Sequence, residues 1–573
     1  MIDSSRRVAG GLRARGIVGL LLLVAAGCSG WAADKKFIEL GWDIPDTKFL
    51  REHWRAMEQE GPFDGVIFRV EAAAGGGKEV SSQAGWNREP WQQEWFATAL
   101  ADLKACPFQK FTHNFIRFNA TPEIIAWDDD EGWSALENKL RICAWLAREG
   151  GAKGIAPDFE PYGANQWKFD PAKGRTFAAT TALVRQRGAQ FIRGIAAEKP
   201  DAVVLALFLN SVQSGAGRAA DPDAILVRES YGLLPAFLDG MLDAAPPAMV
   251  IVDGCENGYY LDSVEAYQRA ALDMRAWAGP SARLVAPENR AKYRQQVQTG
   301  FGFYLDMFVN EPGHTYYRPP LDGSRLRRLS RNLRAARDAA DEYVWVYGEQ
   351  CRWWSGLAKD QPWREDQLKK TAGQGRAWEE ALPGITRALE WARDPDAAAR
   401  NELAAIKGRG AASNLLVNAD FRDKPDGDGA LPEGWGAWQH EENPTGTFAW
   451  DGAVGSGAAR ATKVAWGCFL QSVAAAPGQV FAVQAACRSR GATVAGLVIR
   501  WQTGDGTWTH EAEDRRFAFG PGAGDWKPAF GVATVPPGAG RLVVLLDVRG
   551  QATDDDVCWF DNVEVYRLED TGF

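Results

Sequence analysis

Eight apolar runs of strand length, separated by stretches of helical pattern, constrain this chain more than any other feature. The runs are "FIELGWDIP" (37–45), "GVIFRVEA" (65–72), "NFIRFNAT" (114–121), "GIAPDFEPY" (154–162), "AVVLALFLNS" (202–211), "AMVIVDGCENGYY" (248–260), "FGFYLDMFVN" (301–310) and "YVWVYGEQCRWW" (343–354). Helix-like segments lie between them at 47–60, 91–104, 131–149, 173–198, 231–244, 264–278 and 323–341. Apolar strands alternating with helices make a parallel sheet covered by those helices. Eight such units predict a (β/α)8 TIM barrel over 34–400. The competing arrangement is an open doubly wound sheet with a glycine turn for phosphate, but neither GxGxxG nor GxxxxGK occurs.

At 573 residues the chain is too long for that domain alone. A linker-like stretch is expected over 401–413, and past it the pattern changes. "NLLVNADF" (414–421) is followed by "FLQSVAAAPGQVFAVQAACRS", "RWQTGDGTW", "VPPGAGRLVVLLDVRG" and "VCWFDNVEVYRL". Short β-runs split by Gly and Pro turns predict an all-β sandwich over 414–573. At the other end, Arg6, Arg7, Arg13 and Arg15 precede the apolar "GIVGLLLLVAAG" (16–27), which is too short to span a bilayer. Residues 1–33 therefore read as an export segment. "AAGC" ends it at Cys28 and resembles a bacterial lipobox, which implies lipidation of Cys28, membrane attachment and a cell-envelope, periplasmic or extracellular location.

Composition narrows the function. The formal net charge of -9 argues against a nucleic-acid surface. Seven cysteines follow Cys28 without a CxxC pair, so zinc ribbons are excluded and buried thiols are expected. His53, His113 and His314 stand apart, which disfavours a zinc hydrolase, and no GxSxG nucleophile elbow occurs. The basic helix pattern over 325–343 reads as a solvated face. Twenty-five tryptophans are a heavy load, and Trp suits surfaces where an apolar face meets polar groups, as sugar rings present.

In a barrel, the residues at the C-terminal ends of the strands face the reaction site. Here those ends carry Trp42 and Asp43, then Arg69, Asn119, Asp158, Glu160 and Tyr162, Asn210, Asp253 and Glu256, Asp306, and finally Tyr347, Glu349, Trp353 and Trp354. Acids interleaved with aromatics are what glycosidic-bond cleavage needs. One carboxylic acid protonates the leaving oxygen while a second carboxylate attacks or activates water, and aromatics stack on the sugar. Glu160 is the first candidate and Glu349 the second. Asp158 and Asp306 complete the catalytic set, and the other strand-end residues are assigned to substrate binding. In "GIAPDFEPYG" strand alternation sends Asp158 and Glu160 to one face, where mutual repulsion raises a pKa.

Three resemblances accompany this reading. "GIAPDFEPYG" is similar to the fourth-strand DxE of family 18 chitinases, in which a Tyr follows the last acid, although the earlier acids of that motif are missing here. Asp on strands four and six resembles the α-galactosidase arrangement, and the barrel is similar to glycoside hydrolases in general. The opening "NLLVNADF", "FLQSV" and closing "WFDNVEVY" resemble the jelly-roll carbohydrate-binding modules of bacterial polysaccharide enzymes. That likeness implies sugar contacts among Trp435, Trp438, Trp450, Trp466 and Trp501, and a structural calcium at Asp561. The expected function is hydrolysis of a polysaccharide or oligosaccharide with no cofactor needed for catalysis. The alternative is a non-catalytic carbohydrate-binding surface lipoprotein, which would need no converging acids.

Overall fold

The computed structural model describes residues 35–354, 376–410, 413–427, 429–441, 446–520 and 524–568. The expected export segment and Cys28 lie outside them. No helix among the described residues is long and apolar enough to cross a membrane.

Nine parallel strands form one nearly closed barrel. They are β1 (Lys36–Gly41), β2 (Gly65–Phe68), β3 (Phe115–Asn119), β4 (Gly154–Asp158), β5 (Val203–Ala206), β6 (Val250–Asp253), β7 (Val297–Thr299), β8 (Phe301–Tyr304) and β9 (Tyr343–Gly348). Going round the sheet, the order is β8, β9, β1, β2, β3, β4, β5, β6, β7. Nine strands stand where eight were expected because a short strand, β7, precedes the seventh apolar run: β7 pairs with β6, β8 inside the run pairs with β9, and Gly300 alone separates them. A Cβ on Gly300 would come within 2.9 Å of Val252 and 3.1 Å of the Tyr343 carbonyl. The strands on both sides therefore press against the bare backbone.

Each strand is buried along almost its whole length, as strands sandwiched between an interior and a helical layer must be. The helices follow local signals. Thr47–Glu60 (α1) starts at Asp46, whose side chain accepts from the Phe49 amide. Asp130–Gly150 (α2) is capped by Asp129 on the Gly132 amide, has Asp130 and Glu131 in its first turn, and stops at Gly151 with φ 78°. Phe177–Ala196 (α3) is capped by Thr176. Packing between elements is tight at Gly154, where a Cβ would run into the Val203 carbonyl of the neighbouring strand. We expect Gly154→Ala to destabilise the fold by about 1–3 kcal/mol or more, visible as a lowered thermal midpoint. An unchanged midpoint would mean that β4 and β5 can part without cost.

The described residues fall into two compact units, one reaching to Pro319 and resuming over Arg331–Pro383, the other made of Pro320–Ser330 and the chain from Gly384 on. The second unit holds two antiparallel five-stranded sheets. One runs Gly436–Gln439, Trp466–Ala474, Arg541–Arg549, Val494–Gln502, Arg515–Ala518, and the other Thr447–Asp451, Ala458–Thr462, Val557–Arg567, Val480–Arg490, Lys527–Thr534. Their inner faces share a core that includes Phe469, Leu497, Trp501, Leu546 and Phe560, the β-sandwich expected from the turn spacing. A helix runs into the stretch expected as linker. Pro395–Gly408 is helical, and its Ala399, Leu403 and Ile406 pack with Trp391 on Ala482 and Leu568 of the sandwich.

Candidate active site

The third and fourth strands build the floor of a cleft at the C-terminal end of the barrel. Their register sets Asn119 opposite Asp158 and Arg117 opposite Ala156. Alternation then puts Arg117, Asn119 and Asp158 on one side of the sheet. Arg117 donates to Asp158 at 2.8 Å and to Asn119 at 2.6 Å. Asp158 is 1% exposed and also accepts the Glu160 amide at 2.9 Å and the Tyr162 hydroxyl at 3.0 Å. These bonds turn the chain as it leaves the strand and aim Glu160 outward. The face shared by Asp158 and Glu160 is therefore divided in labour: Asp158 anchors and Glu160 is presented.

The cleft holds about 1180 Å³. Four glutamates line it: Glu160 after β4, Glu229 from the loop beyond β5, Glu256 after β6 and Glu349 after β9. Around them stand Trp42, Arg117, Asn119, Tyr162, Tyr231 and a wall of tyrosines. Tyr259, Tyr304 and Tyr347 stack with ring centroids 5.1–6.1 Å apart. At the rim Trp42 is 38% and Tyr162 55% exposed, so aromatic faces are open to a ligand.

Glu160, Glu256 and Glu349, at the ends of three strands, sit in different settings. Glu349 accepts the Tyr347 hydroxyl at 2.9 Å, and that oxygen in turn accepts the Trp42 indole N–H at 2.9 Å. Glu160 is held above the usual carboxylate range by burial and then by the Asp158 charge, with the Tyr162 hydroxyl opposing. Glu256 is pushed up to about 8 by burial and then by the charges of Asp158 and Glu160.

Other strand-end acids do different work. Asp306 is fully buried and accepts the amides of Glu349 at 2.7 Å and Gln350 at 3.0 Å, so it shapes the loop that carries Glu349. Burial pushes its carboxyl up to about 7 despite those donors. Asp253 is likewise buried, on the Leu209 and Ser211 amides and the Ser211 hydroxyl. Asp43 accepts the Trp353 amide at 2.8 Å, and Asn210 donates to the Ser281 carbonyl. Arg69 bonds Glu71 and the Ile44 carbonyl, Trp354 is buried against Phe63 and Phe111, and Trp353 packs on Phe63. None of Asp43, Arg69, Asp158, Asn210, Asp253, Asp306, Trp353 or Trp354 lines the cleft. A carboxylate answering backbone N–H groups reads in sequence like one facing a substrate.

Sequence reasoning missed Arg117, Tyr231, Tyr259, Tyr304, Asn310, His314 and Tyr316, all of which line the cleft. Arg117 sits at the centre of "NFIRFNAT", where a lone cation inside an apolar run was the available signal.

In the second unit Trp435 and Trp501 belong to the core, while Trp438 and Trp466 are 44% and 40% exposed and meet edge to face at 5.7 Å. Asp561 accepts its neighbour's amide, from Asn562, and feels the charge of Asp420. Among the described residues no group of three or more His, Cys, Asp or Glu side chains could hold a metal ion. Two carboxylates are a poor fit to calcium, which takes roughly six to eight oxygens.

No protein-family model matches this chain, and no curated protein matches it in sequence. Solved structures with a likeness include the enzymatically active domain of a bacteriophage CBA120 tailspike protein, at 18% identity, 27% of this chain, 21% of that chain and a TM-score of 0.21. Others are an arabinose-bound family 51 α-L-arabinofuranosidase (10% identity, 27% of this chain, 26% of that one, TM-score 0.22) and a family 4 carbohydrate-binding module (16%, 26%, 99%, 0.20). The chain thus spans about a quarter or less of either enzyme's length. At such TM-scores these likenesses carry no argument about chemistry.

Proposed function

We propose that this protein hydrolyses glycosidic bonds in a polysaccharide or oligosaccharide, at the C-terminal mouth of a barrel that is a (β/α)8 fold once the segments flanking Gly300 count as one strand. The observation that carries this reading is the convergence of Glu160, Glu256 and Glu349 in one tyrosine-lined cleft. Two of the three suffice for the chemistry: one carboxyl protonates the leaving oxygen and another, as carboxylate, attacks the anomeric carbon or activates water. We assign the carboxylate role to Glu349, which the Tyr347 hydroxyl holds in place at 2.9 Å. Asp158, Asp253 and Asp306 orient the loops that carry the glutamates. The test is a polysaccharide panel assayed for reducing ends with the full chain. Release from at least one glycan is expected. Retention on a glycan without any release would favour a non-catalytic binding protein.

The sandwich we read as a jelly-roll glycan-binding module with Trp438 and Trp466 as its contact surface. Trp466→Ala in the full chain should weaken retention on insoluble glycan by roughly 2–10-fold, the worth of one aromatic stacking contact. Unchanged retention would remove that surface from the reading. Export with lipidation at Cys28 belongs to the same proposal, and Cys28→Ala should then release the protein from the membrane fraction.

A further inference from the structure

We propose that Glu256 is the proton donor of the cleft, with Glu160 beside it as a positioning charge. This rests on the glycosidase reading above and goes beyond it by allotting the proton.

The geometry around Glu256 sets it apart. Asp253, Cys255 and Glu256 leave β6 in a tight turn, and Cys255 adopts φ 38° and ψ 68°, a left-handed conformation that a side-chain-bearing residue rarely takes. Such a backbone persists only where its surroundings hold it, and it is often found where a side chain must be aimed. Here the buried Asp253 carboxylate holds it, gripping the Cys255 amide at 3.3 Å as well as Leu209 and Ser211. The next residue, Glu256, is delivered into the cleft.

Donors are distributed unequally among the three glutamates. Glu349 has the Tyr347 hydroxyl, and Glu160 has the Tyr162 hydroxyl beside it, which the two acids share because it also bonds Asp158. Among the described residues no hydrogen-bond donor meets the Glu256 carboxyl. The groups facing it are Asp158 and Glu160 from β4 and its exit, Arg117 from β3, Tyr231 from the loop beyond β5, and Cys255, Tyr259 and Tyr260 of its own turn. Arg117, the one cation in that set, is already paired with Asp158. A carboxyl that is half-buried, without donors and next to two acids favours its neutral form. The value of about 8 agrees in direction and keeps the group protonated at neutral pH.

In the step this implies, the Glu256 O–H proton passes to the glycosidic oxygen as its bond to the anomeric carbon breaks. That oxygen keeps the bonding electron pair and leaves as the alcohol of the departing sugar. Glu349 either bonds to the anomeric carbon or takes a proton from attacking water. Water supplies the new hydroxyl, and Glu256 is reprotonated when the cycle closes. The Glu160 charge holds the proton on Glu256.

The first test needs no substrate. Carboxyl titration of the full chain, by infrared difference spectra or by NMR with 13C-labelled Glu, should show a group titrating near pH 8 that vanishes in Glu256→Gln. In Glu160→Gln it should move to lower pH, because a like charge has gone. A spectrum unchanged by Glu256→Gln overturns the proposal. The second test uses a glycan cleaved in the panel and the 2,4-dinitrophenyl glycoside of the same sugar, whose leaving group needs no proton. Parent kcat/KM should fall above about pH 8, since the donor must keep its proton. Glu256→Gln should lose roughly 10²–10⁴-fold on the glycan and at least tenfold less on the activated glycoside. Equal losses on both make Glu256 structural, and the same split in Glu160→Gln instead makes Glu160 the donor; either overturns the proposal. If the pH 8 group is present but no glycan is cleaved, the glycosidase reading fails and takes the donor role with it.

Discussion

Glu349→Gln is expected to lower glycan hydrolysis by roughly 10²–10⁴-fold or more, with the fold intact. Gln keeps the volume and can still accept the Tyr347 hydroxyl, which bonds Glu349 at 2.9 Å. What it lacks is the negative charge that attacks the anomeric carbon or takes a proton from water. Glycan binding should survive, because Trp42, Tyr259 and Tyr304 still line the cleft. The comparison is with Tyr347→Phe, which removes one donor and should cost far less. The measurement is reducing-end release alongside a thermal melt. A Glu349→Gln protein that melts like the parent and turns over at a comparable rate would exclude Glu349 from the chemistry.

Arg117→Met is expected to have the largest effect on the fold around the site. Arg117 is 8% and Asp158 1% exposed, and they meet at 2.8 Å. Removing one partner leaves a buried carboxylate whose solvation is lost and whose counter-charge is gone. Breaking a pair of this kind costs about 3–5 kcal/mol. Asp158 also fixes the Glu160 amide and the Tyr162 hydroxyl, so the variant should lose activity together with stability. Arg117→Met with Asp158→Asn removes the charge from both sides and should recover much of the stability but not the activity. Denaturant midpoints for the single and double variants check this. A single variant as stable as the parent would show that water reaches Asp158.

Most of the scaffold was legible in the sequence. The pattern expected for 47–60 is helix Thr47–Glu60, and 131–149 is helical over Asp130–Gly150. Each of the eight expected runs contains a strand. These succeed because burial of a strand and capping of a helix are written in residues close together in the chain. The packing of Leu403 and Ile406 was not legible, because it depends on Ala482 and Leu568, far along the chain.

The site divides in the same way. Sequence alone determined that acids and aromatics would gather at strand ends, and that Glu160, Glu256 and Glu349 would be among them. Alternation and a parallel barrel leave few other places for them. Only the tertiary structure decided which acids face the cleft. Asp158, Asp253 and Asp306 look alike in sequence to the three glutamates, yet each is consumed by buried donors: an arginine, a serine with two amides, and the amides of Glu349 and Gln350. Those donors come from other strands and loops. Whether a carboxylate is buried among donors or left exposed to a substrate depends on partners brought near by folding, and no local pattern encodes that.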